Sequence, residues 1–330
     1  MRKLLTFSLF LLLVSCGGRN VETEPPISDL DEPDRVLFER ASSDLDRNRL
    51  TVARLTLQTL INTYPDSEYL PQAKYKLADS FYREGTTSAM TQAEIEFKDY
   101  ITFFPTSEQA PDAQLMVAMT HVKQMEKSDR DRTQALLAEA ELKYMIDNYP
   151  DSTLLDDAKQ TLRAVQEVLA DGVVKIGNFY LLRKSYPAAA DRYKEVLTKY
   201  PDFSGSPEAL FNLAEALRIN NNEPESAIYY GRIVSEHPLS ERVKDAKERL
   251  TAMNQPIPEP NPVALARAQQ ASPVEERGLF GKMFGMFNRR PPVPVPTDTS
   301  STRDGSETEN KDSGTFSIDP QVVQPEQRPR

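Results

Sequence analysis

Ala188-Ala189-Ala190-Asp191-Arg192-Tyr193-Lys194-Glu195-Val196-Leu197-Thr198-Lys199-Tyr200-Pro201 reads as an amphipathic segment closed by an aromatic-proline pair. The same closure recurs at Tyr64-Pro65, Phe104-Pro105 and Tyr149-Pro150, and once more with histidine as the ring at His237-Pro238. Ala53, Ala93, Ala138 and Ala189 each stand twelve residues before their proline, whereas Ala227 in the fifth copy stands one residue short of that spacing. A small side chain at such a point lets two helices approach closely, and proline is tolerated where a helix restarts. Across residues 33–253 glycine is scarce, while Ala, Leu, Glu, Lys and Arg abound, which predicts helix.

Five such copies in series resemble the tetratricopeptide repeat, a pair of antiparallel helices of about 34 residues. Ala41, Ala78, Ala118, Gly177 and Ala214 fill the small position of the first helix, and Gly177 with Tyr180 matches the glycine and tyrosine of the repeat pattern. The chain has no Trp, so the other copies depart from that pattern. Successive prolines lie 40, 45, 51 and 37 residues apart, longer than one simple unit each time. Insertions are therefore expected at 85–88, at 123–132, and in a lengthened helix over about 154–183. The expected fold is all-α, an α-solenoid of about five helical hairpins over 33–253.

The ends read differently. Arg2 and Lys3 precede an apolar run at 4–14, and Cys16, the only cysteine, follows with Ser15, Gly17 and Gly18 around it. This is the pattern of a bacterial lipoprotein signal, so residues 1–15 are expected to be removed and Cys16 to be acylated. The run is too short to span a bilayer, which needs roughly 20 apolar residues; the acyl chains would attach the mature protein instead. Residues 16–32 read as a flexible tether and 254–330 as a Pro-rich, mostly disordered tail. Within that tail 278–290 would, as a helix, set Leu279, Phe280, Met283, Phe284 and Phe287 on one face, a docking segment for a partner groove or a membrane surface.

Composition narrows the function classes. Net charge is -10, from 50 acidic against 40 basic residues, which disfavours nucleic acid as a partner. With Cys16 lipidated no thiol is left for catalysis or metal binding, and the sequence has neither a phosphate loop nor an HExxH or GxSxG motif. His121 and His237 read as structural. Asp156-Asp157 and the acids around Glu139 and Glu141 read as a solvated helix face. No enzyme activity, metal or cofactor is expected; a recognition scaffold is. Tyr75 and Tyr82, seven apart on one first helix, suit a binding surface or an inter-repeat core, and both readings stand.

The order of features further resembles the BamD family, lipoproteins of the outer-membrane β-barrel assembly machinery. The resemblance covers about 34–222 and is closest over 128–210. It rests on Ser128-Asp129-Arg130-Asp131, Asn148-Tyr149-Pro150-Asp151-Ser152, Asp157-Ala158, Leu169-Ala170, Phe179-Tyr180 with Arg183, Asp191-Arg192 and Glu208-Ala209-Leu210. It implies a scaffold anchored in the outer membrane on its periplasmic side. Early repeats would engage unfolded barrel proteins, with Tyr64 matching a contact tyrosine, and late repeats would dock the barrel insertase subunit through Arg192. A guanidinium suits that task because it pairs bidentately with a carboxylate. The rival reading is a repeat lipoprotein that coordinates peptidoglycan synthesis or envelope division.

Overall fold

The computed structural model describes residues 32–270. The signal peptide, Cys16, most of the tether and the 278–290 segment lie outside the described residues. Five helical hairpins follow one another: α1 (Pro33–Asp46) with α2 (Leu50–Thr63), α3 (Leu70–Glu84) with α4 (Thr87–Phe103), α5 (Ala110–Gln124) with α6 (Thr133–Asn148), α7 (Leu155–Leu182) with α8 (Tyr186–Lys199), and α9 (Ser206–Ile219) with α10 (Glu223–Glu236). Then come α11 (Arg242–Ala252) and α12 (Pro262–Gln270). From α1 to α11 each helix packs on its neighbours in sequence, and first helices also touch the first helix of a neighbouring unit, as in α1 with α3, α7 with α9 and α9 with α11. That is the α-solenoid expected from the repeats.

Two kinds of turn build it, each dictated by local sequence. Between hairpins, the residue before the proline closes the helix with φ between -125° and -130° and ψ between 55° and 68° at Tyr64, Phe104, Tyr149, Tyr200 and His237. The proline ring disfavours the α region there, so the helix must stop. The chain then turns tightly: the N–H groups of Ser67, Ser107, Ser152 and Ser240 donate back to the carbonyls of Tyr64, Phe104, Tyr149 and His237 at 3.0–3.1 Å. The same serine hydroxyls accept from the backbone two residues on, at Tyr69, Gln109, Leu154 and Arg242. In the fourth hairpin Phe203 takes the serine's place in the backbone turn.

Within hairpins one, four and five, a single left-handed residue reverses the chain: Asn48, Lys184 and Asn221, with φ of 57° to 59°. Arg49, Ser185 and Asn222 then donate to the carbonyls of Asp44, Tyr180 and Leu217, satisfying acceptors the helix end leaves open. The second hairpin uses Gly85 at φ 77° and a Thr86 cap whose hydroxyl accepts from the Ala89 N–H at 3.2 Å. The insertion expected at 85–88 is thus a short turn followed by a lengthened α4. The other two insertions fall as expected, in the loop between α5 and α6 and in the 28-residue α7.

The core is a repeated stripe. Twelve, eight and five residues before each proline stand a small residue and two large ones: Ala53, Leu57, Leu60; Ala93, Phe97, Tyr100; Ala138, Leu142, Met145; Ala189, Tyr193, Val196; and Ser226, Tyr230, Ile233, all 0% exposed. Spacings of four and three put each trio on one helix face. The fifth copy corrects the sequence reading, since Ser226 and not Ala227 holds the small position. Its hydroxyl stays satisfied in the core by donating to the Ala214 carbonyl at 2.8 Å. The buried phenols also find partners, Tyr193 on Asn178 at 2.6 Å and Tyr230 on Glu215 at 2.5 Å.

One more short helix follows the stacked hairpins. Asn254, at φ 52°, begins another left-handed turn, with Gln255 donating to Leu250 as in the hairpins, but Pro256, Pro258 and Pro260 follow and no second helix forms at once. Of α11 only Ala246 and Leu250 are fully buried, and Lys244, Lys247, Glu248 and Arg249 are exposed. Residues 262–270, inside the stretch expected to be mostly disordered, form α12, which packs on α10. Asn261 starts it, its side-chain oxygen accepting from Val263 at 2.9 Å with Pro262 in the first turn, and its own N–H ties back to the Ser235 carbonyl.

Gly177 shows how tightly the fourth hairpin closes. A Cβ there would lie 2.7 Å from Cε1 of the fully buried Tyr193 ring. Gly177→Val is expected to lower the unfolding free energy by about 2 kcal/mol through overpacking. Gly177→Ala should cost less, because its helix-propensity gain of about 1 kcal/mol offsets part of the clash. Urea unfolding followed by circular dichroism reads both.

Candidate functional site

The residues singled out from sequence fall into two separate regions. In the second hairpin, Tyr75 projects from α3 between α4 and α5. Its ring meets Phe97 and Tyr100 edge-on at 5.4 and 5.6 Å, and its hydroxyl donates to the Asp112 carboxylate on α5. Burial, helped by that carboxylate, pushes its phenol far above the usual range. Two turns on, Tyr82 lies under the Lys123 ammonium, 3.5 Å from its ring centroid, and burial pushes its phenol up to about 12. Both tyrosines therefore join the second hairpin to the third. Tyr64 closes α2 and packs, half-buried, against the cluster of Leu57, Leu60 and Leu77.

Tyr75 also lines an open cleft of about 330 Å³ with Phe38, Lys76, Asp79, Arg83 and Gln109. Tyr64 and Tyr82 are not among these lining residues. Near the same hairpin Phe103 is 63% exposed, with the Lys74 ammonium 4.3 Å from its ring centroid. Sequence reasoning missed Phe103, although the signal was present: the matching residue before the aromatic is polar in every other copy, namely Thr63, Asn148, Lys199 and Glu236.

Arg192 stands apart on α8, next to the buried Tyr193. Its side chain is 43% exposed and pairs along the helix with Glu195 at 2.8 Å, which also accepts from Lys199 at 2.9 Å. A guanidinium held this way is oriented yet still reachable by a partner carboxylate. Around it, ion pairs tie the late helices together. Lys194 reaches Glu225 on α10 at 2.6 Å, Arg242 on α11 grips Glu208 on α9 through both carboxylate oxygens, and Arg249 reaches Glu215 at 2.7 Å.

A larger cleft, about 470 Å³, lies between the loop after α5, the middle of α7 and the turn before α9, lined in part by Lys127, Ser128, Asp171, Lys175 and Phe203. The Ser128 hydroxyl donates to Asp171 and Lys175 reaches both. Gly172 admits this loop, since a Cβ there would sit 2.6 Å from the Ser128 carbonyl oxygen. The sequence marked Ser128 as the start of a distinctive stretch but gave no hint of a cleft; the trace was a glycine inside a helix, which costs about 1 kcal/mol against alanine.

Against known proteins, the model of the family YfiO, described as "Outer membrane lipoprotein", matches residues 30–229. The chain belongs to the YfiO family. Among its relatives, the outer membrane protein assembly factor BamD of Caulobacter vibrioides is 26% identical over 224 residues, covering 67% of this chain and 72% of the relative. BamD of Vibrio cholerae serotype O1 is 27% identical over 190 residues, covering 54% and 78%. Among solved structures, a thermophilic tetratricopeptide protein of Thermus thermophilus is 16% identical, covers 66% of this chain and 97% of its own, and has a TM-score of 0.28. The YfiO match spans both regions described above, from the cleft at Tyr75 to Arg192. Among the described residues of this YfiO-family chain, no helix is long and apolar enough to cross a membrane.

Charge pairing makes this half of the chain acid-sensitive. Hydrogen bonding from Lys199, then from Arg192, holds the Glu195 carboxyl below its ordinary 4.5 despite partial burial. Burial pushes Glu215 up, but hydrogen bonds from Arg218 and Tyr230 with the charges of Arg218 and Arg249 outweigh it, and its carboxyl also titrates low. A depressed carboxylate contributes stability that is fully present above the ordinary value and is lost as pH falls through the folded one. The urea midpoint is expected to fall below pH 4.5, and Glu215→Gln should flatten that fall; titration of the midpoint from neutral pH to about pH 3 checks it.

Proposed function

We propose that this chain is a lipid-anchored scaffold on the periplasmic side of the outer membrane that binds unfolded β-barrel proteins and docks the barrel insertase. The observation that carries the reading is the family match running from the first hairpin into the second helix of the fifth, joined by relatives named as outer membrane protein assembly factors. The mechanism is binding. Cys16 provides the acyl anchor, early hairpins take an incoming extended segment, and late hairpins hold the insertase.

The described geometry supports a division of labour. The cleft beside Tyr75 offers the Phe38 ring, the Lys76 ammonium and an Arg83 guanidinium paired with Asp79, a fit for an extended strand carrying aromatic groups with an acidic one opposite Lys76. Tyr64, packed on the first hairpin's core, and Tyr82, under Lys123, would contribute through the hairpins they hold and not as walls of this cleft. Arg192 presents a charged, reachable head on a helix fixed by Tyr193 and Glu195. A docked carboxylate would exchange the intrahelical pair for an intermolecular one.

Affinity capture of the full-length protein from detergent-solubilised envelopes should recover a barrel insertase. Arg192→Glu should reduce that recovery about tenfold or more, since reversing one partner of a docked charge pair costs about 2 kcal/mol or more. Equal recovery removes the arginine from the docking role, and recovery of cell-wall synthases in place of the insertase replaces the reading with the envelope-maintenance one. Cys16→Ser should release the protein from the membrane fraction; retention there would refute the lipid anchor.

A further inference from the structure

We infer that Glu94, His121 and Glu141 form a binding site for a divalent transition-metal ion, with Zn²⁺ the best fit. The three residues come from α4, α5 and α6, and their nearest ligand atoms all lie within 4.8 Å of one another. Such an ion would clamp the second hairpin to the third.

The imidazole is the independent pointer. His121 is 3% exposed, and its Nε2 is buried with no hydrogen-bond partner. An orphaned buried polar atom is costly, so it requires a reason. Its other nitrogen supplies part of one: Nδ1 lies 2.8 Å from the Gln134 side-chain oxygen, and the neutral tautomer that donates its proton there has its free lone pair on Nε2. Orienting a metal-ligating imidazole through its second nitrogen is the usual support for such a ligand. Nε2 faces Glu94 Oε1 at 3.5 Å, an ion pair if the ring is protonated and two opposed acceptors in the neutral tautomer that a metal would take. Two ligands about 2.05 Å from a tetrahedral zinc stand about 3.4 Å apart, so this separation already matches one edge of the coordination shell.

The third ligand is also held. Gln114 donates to Glu141 Oε2 at 2.8 Å, while Oε1 faces the cluster. At present the Lys98 ammonium bridges the two carboxylates, 2.8 Å from Glu94 and 3.0 Å from Glu141. It neutralises one of two negative charges and makes no bond to the imidazole. A dication ligated by a neutral imidazole and two carboxylates balances both charges, and the lysine, 47% exposed, swings to water. One nitrogen with two carboxylate oxygens suits Zn²⁺ over Mg²⁺, which prefers oxygen alone.

Calorimetric titration of the untagged full-length protein with Zn²⁺ tests the site. One equivalent should bind at micromolar or tighter concentration, with Mg²⁺ giving no comparable heat. His121→Gln should weaken binding about a hundredfold or more, and Gln134→Ala about 10–100-fold through the loosened imidazole. Lys98→Ala should strengthen binding about tenfold, because the resident ammonium no longer competes. Gln134→Ala and Lys98→Ala leave the ligands in place, so they decide the matter if His121→Gln unfolds. Co²⁺ in place of Zn²⁺ should show the intense visible absorption of a four- or five-coordinate ion. Absence of stoichiometric binding, a Co²⁺ spectrum like the hydrated ion, or affinity unchanged in the Gln134 and Lys98 variants would overturn the assignment.

Discussion

Close approach of helix backbones at a few small residues is the constraint on which the structure depends. Ala53, Ala93, Ala138, Ala189 and Ser226 on the second helices, with Ala41, Ala78, Ala118, Gly177 and Ala214 on the first, are all buried. Packing density in a protein interior leaves no slack for an added methyl at such points. Once the small residue is fixed, the large residues four and seven positions on must face the same seam. The burial of Tyr100, Tyr193 and Tyr230 then follows from register and not from the hydrophobicity of a phenol. Each phenol in turn requires a polar partner at the rim of the seam, and Ser107, Asn178 and Glu215 supply one.

Polar links between hairpins do a different task. Arg54 to Glu84, Tyr75 to Asp112, Lys98 to Glu141, Lys194 to Glu225 and Arg242 to Glu208 each reach from one unit into the next. The exposed ones among them contribute little to stability singly, but together these links set how neighbouring units sit once the apolar seam has closed. Such pairs run along the whole array, and the one between Lys194 and Glu225 lies two residues from Arg192. Arrangement there depends on charge, which couples the surface offered to a partner to the ionic surroundings.

Much of the fold was legible because its signals are local and repeated. A proline that stops a helix, a small residue at fixed distance and a run of helix formers need no knowledge of distant contacts. Where reading failed, the cause was physical. Ser226 was passed over for Ala227 because only alanine was sought, although a serine fits wherever a carbonyl can take its proton. Residues 262–270 were read as tail because prolines surround them, yet Asn261-Pro262 is a helix-start signal that outweighed them. The functional surfaces were far less legible. Tyr75 and Arg192 could be named as residues, but the cleft beside Tyr75 draws on α1, α3 and the turn before α5. Glu94, His121 and Glu141 stand 27 and 20 residues apart on three helices, so no spacing rule could gather them. Glu141 passed as part of an ordinary solvated face and His121 as a structural ring.

The charged outer side of α11 bears on how many copies can join. A tandem array of like modules presents at its last unit a surface shaped to accept one more, and identical molecules could in principle thread end to end. Here that final helix turns lysine, glutamate and arginine outward, and the polypeptide doubles back along α10 before it could offer another partner helix. Among the described residues the stack thus ends on a charged face, the kind of polar cap that keeps the last module of such an array in solution.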